Sequence, residues 1–158
     1  MATPAGSPSP LVGVWQLLSI TAIDLQGGVE TPFGPHPVGS LTYSADGHMT
    51  VIFAQGNRPG LSGGPSSPFA LGAVPAAELA QAFATVSAYA GTYTIAGNSV
   101  YHHLTVATLP DRAGTTLVRH FQLEHQRLTL TTPSSGETGP VTVYQLVWER
   151  APAQTPNP

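Results

Sequence analysis

A chain of 158 residues falls within the size range of one domain and is long enough to bury a hydrophobic core. Only 8% of the residues are charged, and five arginines stand against eight acidic residues, so no basic surface for nucleic acid or an anionic membrane is expected. The absence of cysteine excludes disulfides and thiolate chemistry, and the absence of lysine excludes Schiff-base catalysis.

The two ends of the chain differ in composition from the rest. Residues 1–10 contain no basic residue and no apolar run, and no later segment reaches transmembrane length, so neither a secretory signal nor a membrane span is predicted. We therefore expect a cytoplasmic protein with a disordered leader at residues 1–10, one domain at residues 11–150 and a disordered tail at residues 151–158.

Apolar and polar residues alternate with a period of two through most of the domain, which predicts β-strands. The turn sequences Ala45-Asp46-Gly47 and Gly97-Asn98 each separate two such runs, as expected of hairpins. Eight strands are predicted, at residues 11–24, 39–44, 48–54, 91–96, 99–107, 115–123, 127–132 and 141–150.

Two segments interrupt the strands. Residues 75–90 are rich in Ala, Leu, Glu and Gln, begin with proline and end before Gly91, which predicts a single helix between strands 3 and 4 with Leu79, Phe83 and Val86 on its apolar face. Residues 55–74 are dense in Gly, Pro and Ser and predict a mobile lid. The predicted fold is an all-β, eight-stranded antiparallel closed barrel, because closure removes exposed sheet edges, and such a barrel can hold one small ligand.

Several motifs carry a resemblance to a known family. The segment Gly13-Val14-Trp15 is similar to the G-x-W signature of lipocalins, in which the tryptophan plugs the closed end of the barrel. The chain also resembles the bacterial and fungal lipocalin-like domain family in a series of motifs in the same order: Pro32-Phe33-Gly34-Pro35, Gly39, Leu41-Thr42-Tyr43, Asp46-Gly47, Met49, Tyr89-Ala90-Gly91-Thr92-Tyr93, His102-His103, Arg119, Phe121 and Val147-Trp148-Glu149-Arg150. The resemblance covers almost all of residues 11–150 and implies a calycin-type barrel. His48 and His120 stand at positions where the chain departs from the family pattern.

Strand alternation predicts which side chains face the interior. If Trp15 points inward, the same parity selects a largely apolar lining with a few polar groups. The predicted ligand-binding residues are Leu41, Met49, Val51, Phe53, Leu104, Arg119, Phe121 and Trp148. The predicted catalytic residues are His102, Tyr43, Tyr93 and Tyr144.

The polar candidates allow two interpretations each. Adjacent His102 and His103 must point to opposite faces of a strand, so they cannot chelate one metal, and no metal is predicted. His102 is either an ordinary hydrogen-bonded core residue or a proton-transfer group that titrates near neutral pH. Arg119 either packs on Trp15 at the barrel floor, as the resemblance implies, or binds a substrate anion.

Two functions remain open at this point. The first is a cofactor-independent cyclase or isomerase that binds a small hydrophobic polyketide- or terpenoid-like intermediate and acts through shape and general acid–base catalysis. The second is a non-catalytic carrier that uses the same cavity for a small hydrophobic ligand. Neither requires a cofactor, nucleic acid or membrane.

Overall fold

The computed structural model describes residues 7–133 and 142–158. Within them the chain forms β1 (Gly13–Ile23), β2 (Val29–Glu30), β3 (Val38–Tyr43), β4 (His48–Ala54), α1 (Ala76–Ala84), β5 (Val86–Ala96), β6 (Ser99–Ala107), a 3₁₀ helix (Pro110–Arg112), β7 (Thr116–Glu124), β8 (Arg127–Thr131) and β9 (Val143–Arg150). Residues 1–6 of the predicted leader and residue 141 of the last predicted strand lie outside the described ranges. None of the helices in the described ranges has the length and apolar character needed to cross a membrane.

The strands form one antiparallel sheet that closes on itself. Each strand from β3 to β8 pairs with the next one along the chain, and β1 pairs with both β3 and β9. Eight strands therefore make up the ring, and a closed ring exposes no unpaired sheet edge. The predicted eight-stranded antiparallel closed barrel is confirmed.

Strand β2 lies outside the ring and is not among the predicted strands. The Asp24 carboxylate accepts hydrogen bonds from the backbone N–H groups of Gln26 at 2.9 Å and Gly28 at 2.7 Å. This side-chain turn returns the chain beside the end of β1, where Glu30 pairs with Ala22. With β2 counted, the helix lies between the fourth and fifth strands, and its predicted place between strands 3 and 4 is wrong.

The helix is also shorter than predicted. It ends at Ala84, and the chain enters β5 at Val86, which pairs with Ala54 at the end of β4. Pairing with β4 outweighs the helix preference of residues 86–90, because an unpaired β4 would leave its backbone groups without partners. The predicted helix over residues 75–90 is therefore wrong in its last part, and Val86 is not on the helix's apolar face.

The end of the barrel at the start of β1 is closed by a tryptophan and an arginine. Trp15 is fully buried, and its Nε1–H donates to the Leu11 carbonyl at 2.9 Å. The Arg150 guanidinium lies 4.2 Å from the centre of the Trp15 ring and donates to the Val12 carbonyl at 2.8 Å. Because β9 pairs Arg150 with Trp15, both side chains lie on the inner face of the sheet. The packing role predicted for Arg119 therefore belongs to Arg150.

The segment before the helix contains no regular strand or helix over residues 55–75. It is fastened to α1 and its C-terminal end by side-chain hydrogen bonds. The Arg58 Nε–H donates to the Thr85 hydroxyl at 3.1 Å, and the Ser62 backbone N–H donates to the Glu78 carboxylate at 2.8 Å. These contacts place the segment on the outer side of the helix.

Candidate ligand-binding site

A cavity of about 370 Å³ lies inside the barrel. Strand side chains form most of its apolar wall, among them Leu41, Val51, Phe53, Leu130, Leu146 and Trp148. Phe33 from the β2–β3 connection, Phe83 from α1 and Arg112 from the 3₁₀ helix also line it. These three connections follow the strand ends that lie opposite Trp15, so the cavity opens at the end of the barrel away from the Trp15–Arg150 closure.

A histidine between two tyrosines forms the polar wall of the cavity. His102 on β6 has no solvent exposure, and its Nε2 lies 2.7 Å from the Tyr43 hydroxyl. Its Nδ1 lies 3.5 Å from the hydroxyl of Tyr89 on β5. Both ring nitrogens of His102 therefore face a tyrosine. Behind this group, Tyr93 packs edge-on against Tyr43, with 4.7 Å between ring centres, and donates its hydroxyl to the Ser44 carbonyl at 2.8 Å.

Burial determines the protonation state of this group. Burial, together with the smaller effect of the nearby positive charge of Arg119, lowers the pKa of His102 to about 3. Burial also raises the pKa of Tyr43 well above its usual value. It raises the pKa of Tyr89 too, although the positive charges of Arg119 and Arg112 oppose that shift. The expectation that His102 titrates near neutral pH is therefore wrong: at that pH it is a neutral imidazole with one donor and one acceptor nitrogen.

His103 lies on the other side of β6, as its parity predicts. Its ring nitrogens lie 2.9 Å from the Thr94 hydroxyl and 3.0 Å from the Thr116 hydroxyl on the outer face of the barrel. Among the residues that the structure describes, no group of three or more histidine or acidic side chains is placed to hold a metal ion.

Two arginines line the cavity without a carboxylate beside them. Arg119 lies in the middle of β7, where one of its Nη groups donates to the Val118 carbonyl at 2.8 Å. Its positive charge opposes the rise in the pKa of the nearby Tyr89 hydroxyl. The Arg112 guanidinium lies 5.9 Å from the centre of the Tyr89 ring. Across residues 7–133 and 142–158, no aspartate or glutamate lines this cavity and neither arginine has a carboxylate within ion-pair distance.

Trp148 supplies one further polar group. Its side chain lines the cavity and is fully buried. Its Nε1–H has no hydrogen-bond partner within the described part of the chain. A buried N–H donor without an acceptor costs on the order of 1–3 kcal/mol, so a ligand oxygen that reached it would remove that cost.

The structure brings about half of the predicted site residues to the cavity surface. Those that line it are His102, Tyr144, Arg119, Leu41, Val51, Phe53 and Trp148. Tyr43 and Tyr93 lie behind His102 and do not line the cavity. Three more predicted residues do not line it either: Met49 and Leu104 belong to the hydrophobic core, and Phe121 packs against that core. Their strand parity is inward, but inward direction alone does not bring a side chain to the cavity surface, because packed side chains fill part of the barrel interior.

Two residues that sequence reasoning did not assign to the site belong to it. Tyr89 is 7% exposed and faces the cavity, but the helix predicted over residues 75–90 hid its strand parity. The alternation of Tyr89, Gly91 and Tyr93 on one face was the available signal. Arg112 lies in a 3₁₀ turn, whose side-chain direction no period in the sequence reveals. None of residues 55–75 lines the cavity, so the predicted lid does not cover it in this conformation.

Comparison with known proteins gives the following results. The sequence profile of the lipocalin-like domain matches residues 12–151 of the chain. The fold is similar to that of a lipocalin-like protein from Bacteroides uniformis, with 14% identity, a TM-score of 0.45 and coverage of 89% of this chain and 98% of that one. It is also similar to Rv2717c from M. tuberculosis, with 15% identity, a TM-score of 0.34 and coverage of 96% and 100%. No curated protein matches the chain.

Proposed function

We propose that this protein, which belongs to the lipocalin-like domain family, binds one small and largely apolar molecule inside its barrel. The observation that carries the proposal is the cavity of about 370 Å³ with a mainly apolar wall and a few polar groups, among them Tyr89, His102 and Arg119. Pockets of roughly 300–1,000 Å³ with this composition are the usual sites of small-molecule binding. Most of the binding free energy would come from burial of the ligand's apolar surface.

The expected affinity follows from the size of the cavity. Burying a ligand with on the order of ten methylene groups contributes about 8 kcal/mol. That gain alone would correspond to a dissociation constant of about 1 μM, and lost translational and conformational freedom offsets part of it, so we expect a dissociation constant between about 1 μM and 1 mM. Native mass spectrometry of the purified protein, followed by extraction, would identify any ligand that is retained at this affinity.

A substitution that obstructs the entrance of the cavity tests directly whether the ligand binds inside the barrel. Val86 lines the cavity at the start of β5, so Val86→Trp should fill the entrance and reduce binding of the neutral fluorescent probe N-phenylnaphthylamine roughly tenfold or more. Val106→Trp is the matched control, because Val106 is 59% exposed on the outer face of β6. Undiminished probe binding by Val86→Trp, or loss of binding in Val106→Trp alone, would place the ligand outside the barrel.

A second candidate function is the cofactor-independent cyclase or isomerase acting on a polyketide- or terpenoid-like intermediate. The hydrogen-bonded row of Tyr43, His102 and Tyr89 beside the cavity favours it, because such a row can position a substrate oxygen and pass a proton. Neutral His102 would act through its hydrogen bonds and not as an imidazolium acid.

If the extracted ligand is a substrate, the protein should convert it to an isomer that chromatography separates. His102→Gln should slow that conversion roughly tenfold or more, and His103→Gln should not. Equal conversion rates in all three proteins would exclude His102 as the proton-transfer group, and no conversion by the wild-type protein would leave binding as the function.

A further inference from the structure

We infer that the ligand of this cavity is an apolar organic acid whose carboxylate is held by Arg119, with Arg112 and Tyr89 as the neighbouring donors. The inference rests on the proposed function, since it specifies what the cavity binds. The charge of the cavity wall differs from that of the whole chain. The whole chain has a net charge of −3, yet among the residues that the structure describes the cavity wall carries two arginines and no acidic side chain.

The environment of Arg119 leaves room for an anion. A guanidinium presents five N–H donors, and the hydrogen bond that the structure gives Arg119 within the described ranges goes to the neutral Val118 carbonyl. A half-buried cation in an apolar cavity is costly unless an opposite charge compensates it. The structural role that would otherwise explain an inward arginine, packing on Trp15, is filled by Arg150.

The neighbouring groups are donors as well. Arg112 lies across the ring of Tyr89 and adds a second positive charge. A neutral carbonyl could accept one of these hydrogen bonds, but it could not offset two cations. A carboxylate does both, because its two oxygens match the planar fork of a guanidinium.

The apolar side chains on the remainder of the cavity wall require that the rest of the ligand be apolar as well. Side chains such as Leu41, Val51, Phe53, Leu130 and Leu146 present no polar atom to it. A sugar phosphate or nucleotide would place many hydroxyls against these groups without hydrogen-bond partners. A hydrocarbon chain or an aromatic ring system would instead gain free energy from burial there.

The test compares ligands that differ only in their head group. Displacement of N-phenylnaphthylamine is measured at about pH 7.5, where carboxylic acids are ionised, with decanoate against decanol and naphthoate against naphthalenemethanol. In the wild-type protein the acid of at least one pair should bind roughly tenfold or more tightly than its alcohol. Arg119→Gln should remove that preference and leave affinity for the alcohol within roughly threefold.

Two further variants complete the design. Arg127→Gln removes an arginine that is exposed at the start of β8 and does not line the cavity, so it should keep the preference for the acid. Arg119→Lys keeps the charge but loses the fork, and it should weaken acid binding roughly threefold or more with the alcohol unchanged. It also serves as the test if Arg119→Gln does not fold, and unchanged acid binding by Arg119→Lys would then overturn the role of Arg119.

Failure of this inference can be told apart from failure of the proposed function. If acid and alcohol bind equally and Arg119→Gln changes neither affinity, the cavity binds ligands but the carboxylate inference is wrong. If no acid and no alcohol displaces the probe and no ligand is retained on purification, the proposed binding function itself fails.

Discussion

His102 should make the folded protein sensitive to mild acid, and replacing it by glutamine should remove that sensitivity. In the folded protein its pKa is about 3, against an ordinary value of 6.5. Between these two values the unfolded chain binds a proton at this residue and the folded chain does not. Stability contributed by neutral His102 is therefore complete above about pH 6.5 and is lost as the pH falls towards 3.

The size of the effect follows from the two pKa values. Lowering the pH from 7 to 5 should cost the wild-type protein about 2 kcal/mol through His102 alone, because the unfolded histidine is almost fully protonated at pH 5 and the folded one is not. His102 is fully buried, so solvent does not screen the effect. His102→Gln has no titrating group at this position and should lose about 2 kcal/mol less over the same range.

Urea unfolding at the two pH values measures these losses. The quantity to compare is the change in unfolding free energy between pH 7 and pH 5 within each protein, so a difference in baseline stability of the variant cancels. His103→Gln is the matched control, because His103 lies on the outer face with threonine partners, and it should show the same loss as the wild-type protein. An equal loss in wild-type and His102→Gln proteins would refute the account of a buried neutral histidine.

Three further substitutions test the packing around the site by thermal or urea unfolding. Tyr43→Phe removes a buried hydrogen bond of 2.7 Å and leaves an imidazole nitrogen unpaired, so it should cost about 1–3 kcal/mol. Arg150→Gln removes the cation stacked on Trp15 and should cost about 1–3 kcal/mol, and an unchanged stability would show that the barrel end closes without it. Gly91→Ala would place a methyl group 1.9 Å from a backbone oxygen of β6 and should cost about 3 kcal/mol or more, whereas Gly60→Ala has open space and should stay within about 1 kcal/mol.

The barrel itself could be predicted because its signals are local. Alternation of apolar residues decides which face of a strand is buried, and turn sequences such as Ala45-Asp46-Gly47 decide where a hairpin reverses. Strands β3, β4 and β6 accordingly lie within a residue of their predicted bounds. The inward direction of Trp15, His102 and Trp148 follows from the same parity, and all three are fully buried.

The boundary between α1 and β5 could not be predicted in this way, because residues 86–90 accept either conformation locally. Their partner is β4, more than thirty positions earlier in the chain, and pairing such as that of Ala54 with Val86 decides the outcome. Tyr89 reaches the cavity for that reason alone. The hydrogen bonds between β4 and β5 thus place Tyr89 in a strand that faces the cavity, although the local sequence pattern assigned it to a helix.

The two arginines show the same division between sequence and tertiary structure. The composition by itself establishes five arginines, no lysine and a protein with few charges, and strand parity places Arg119 and Arg150 on inner faces. Only the register of β9 against β1 decides that Arg150, and not Arg119, meets Trp15. The reason is physical: parity determines which face a side chain takes, whereas its depth along the barrel depends on how the strands are staggered when the sheet closes.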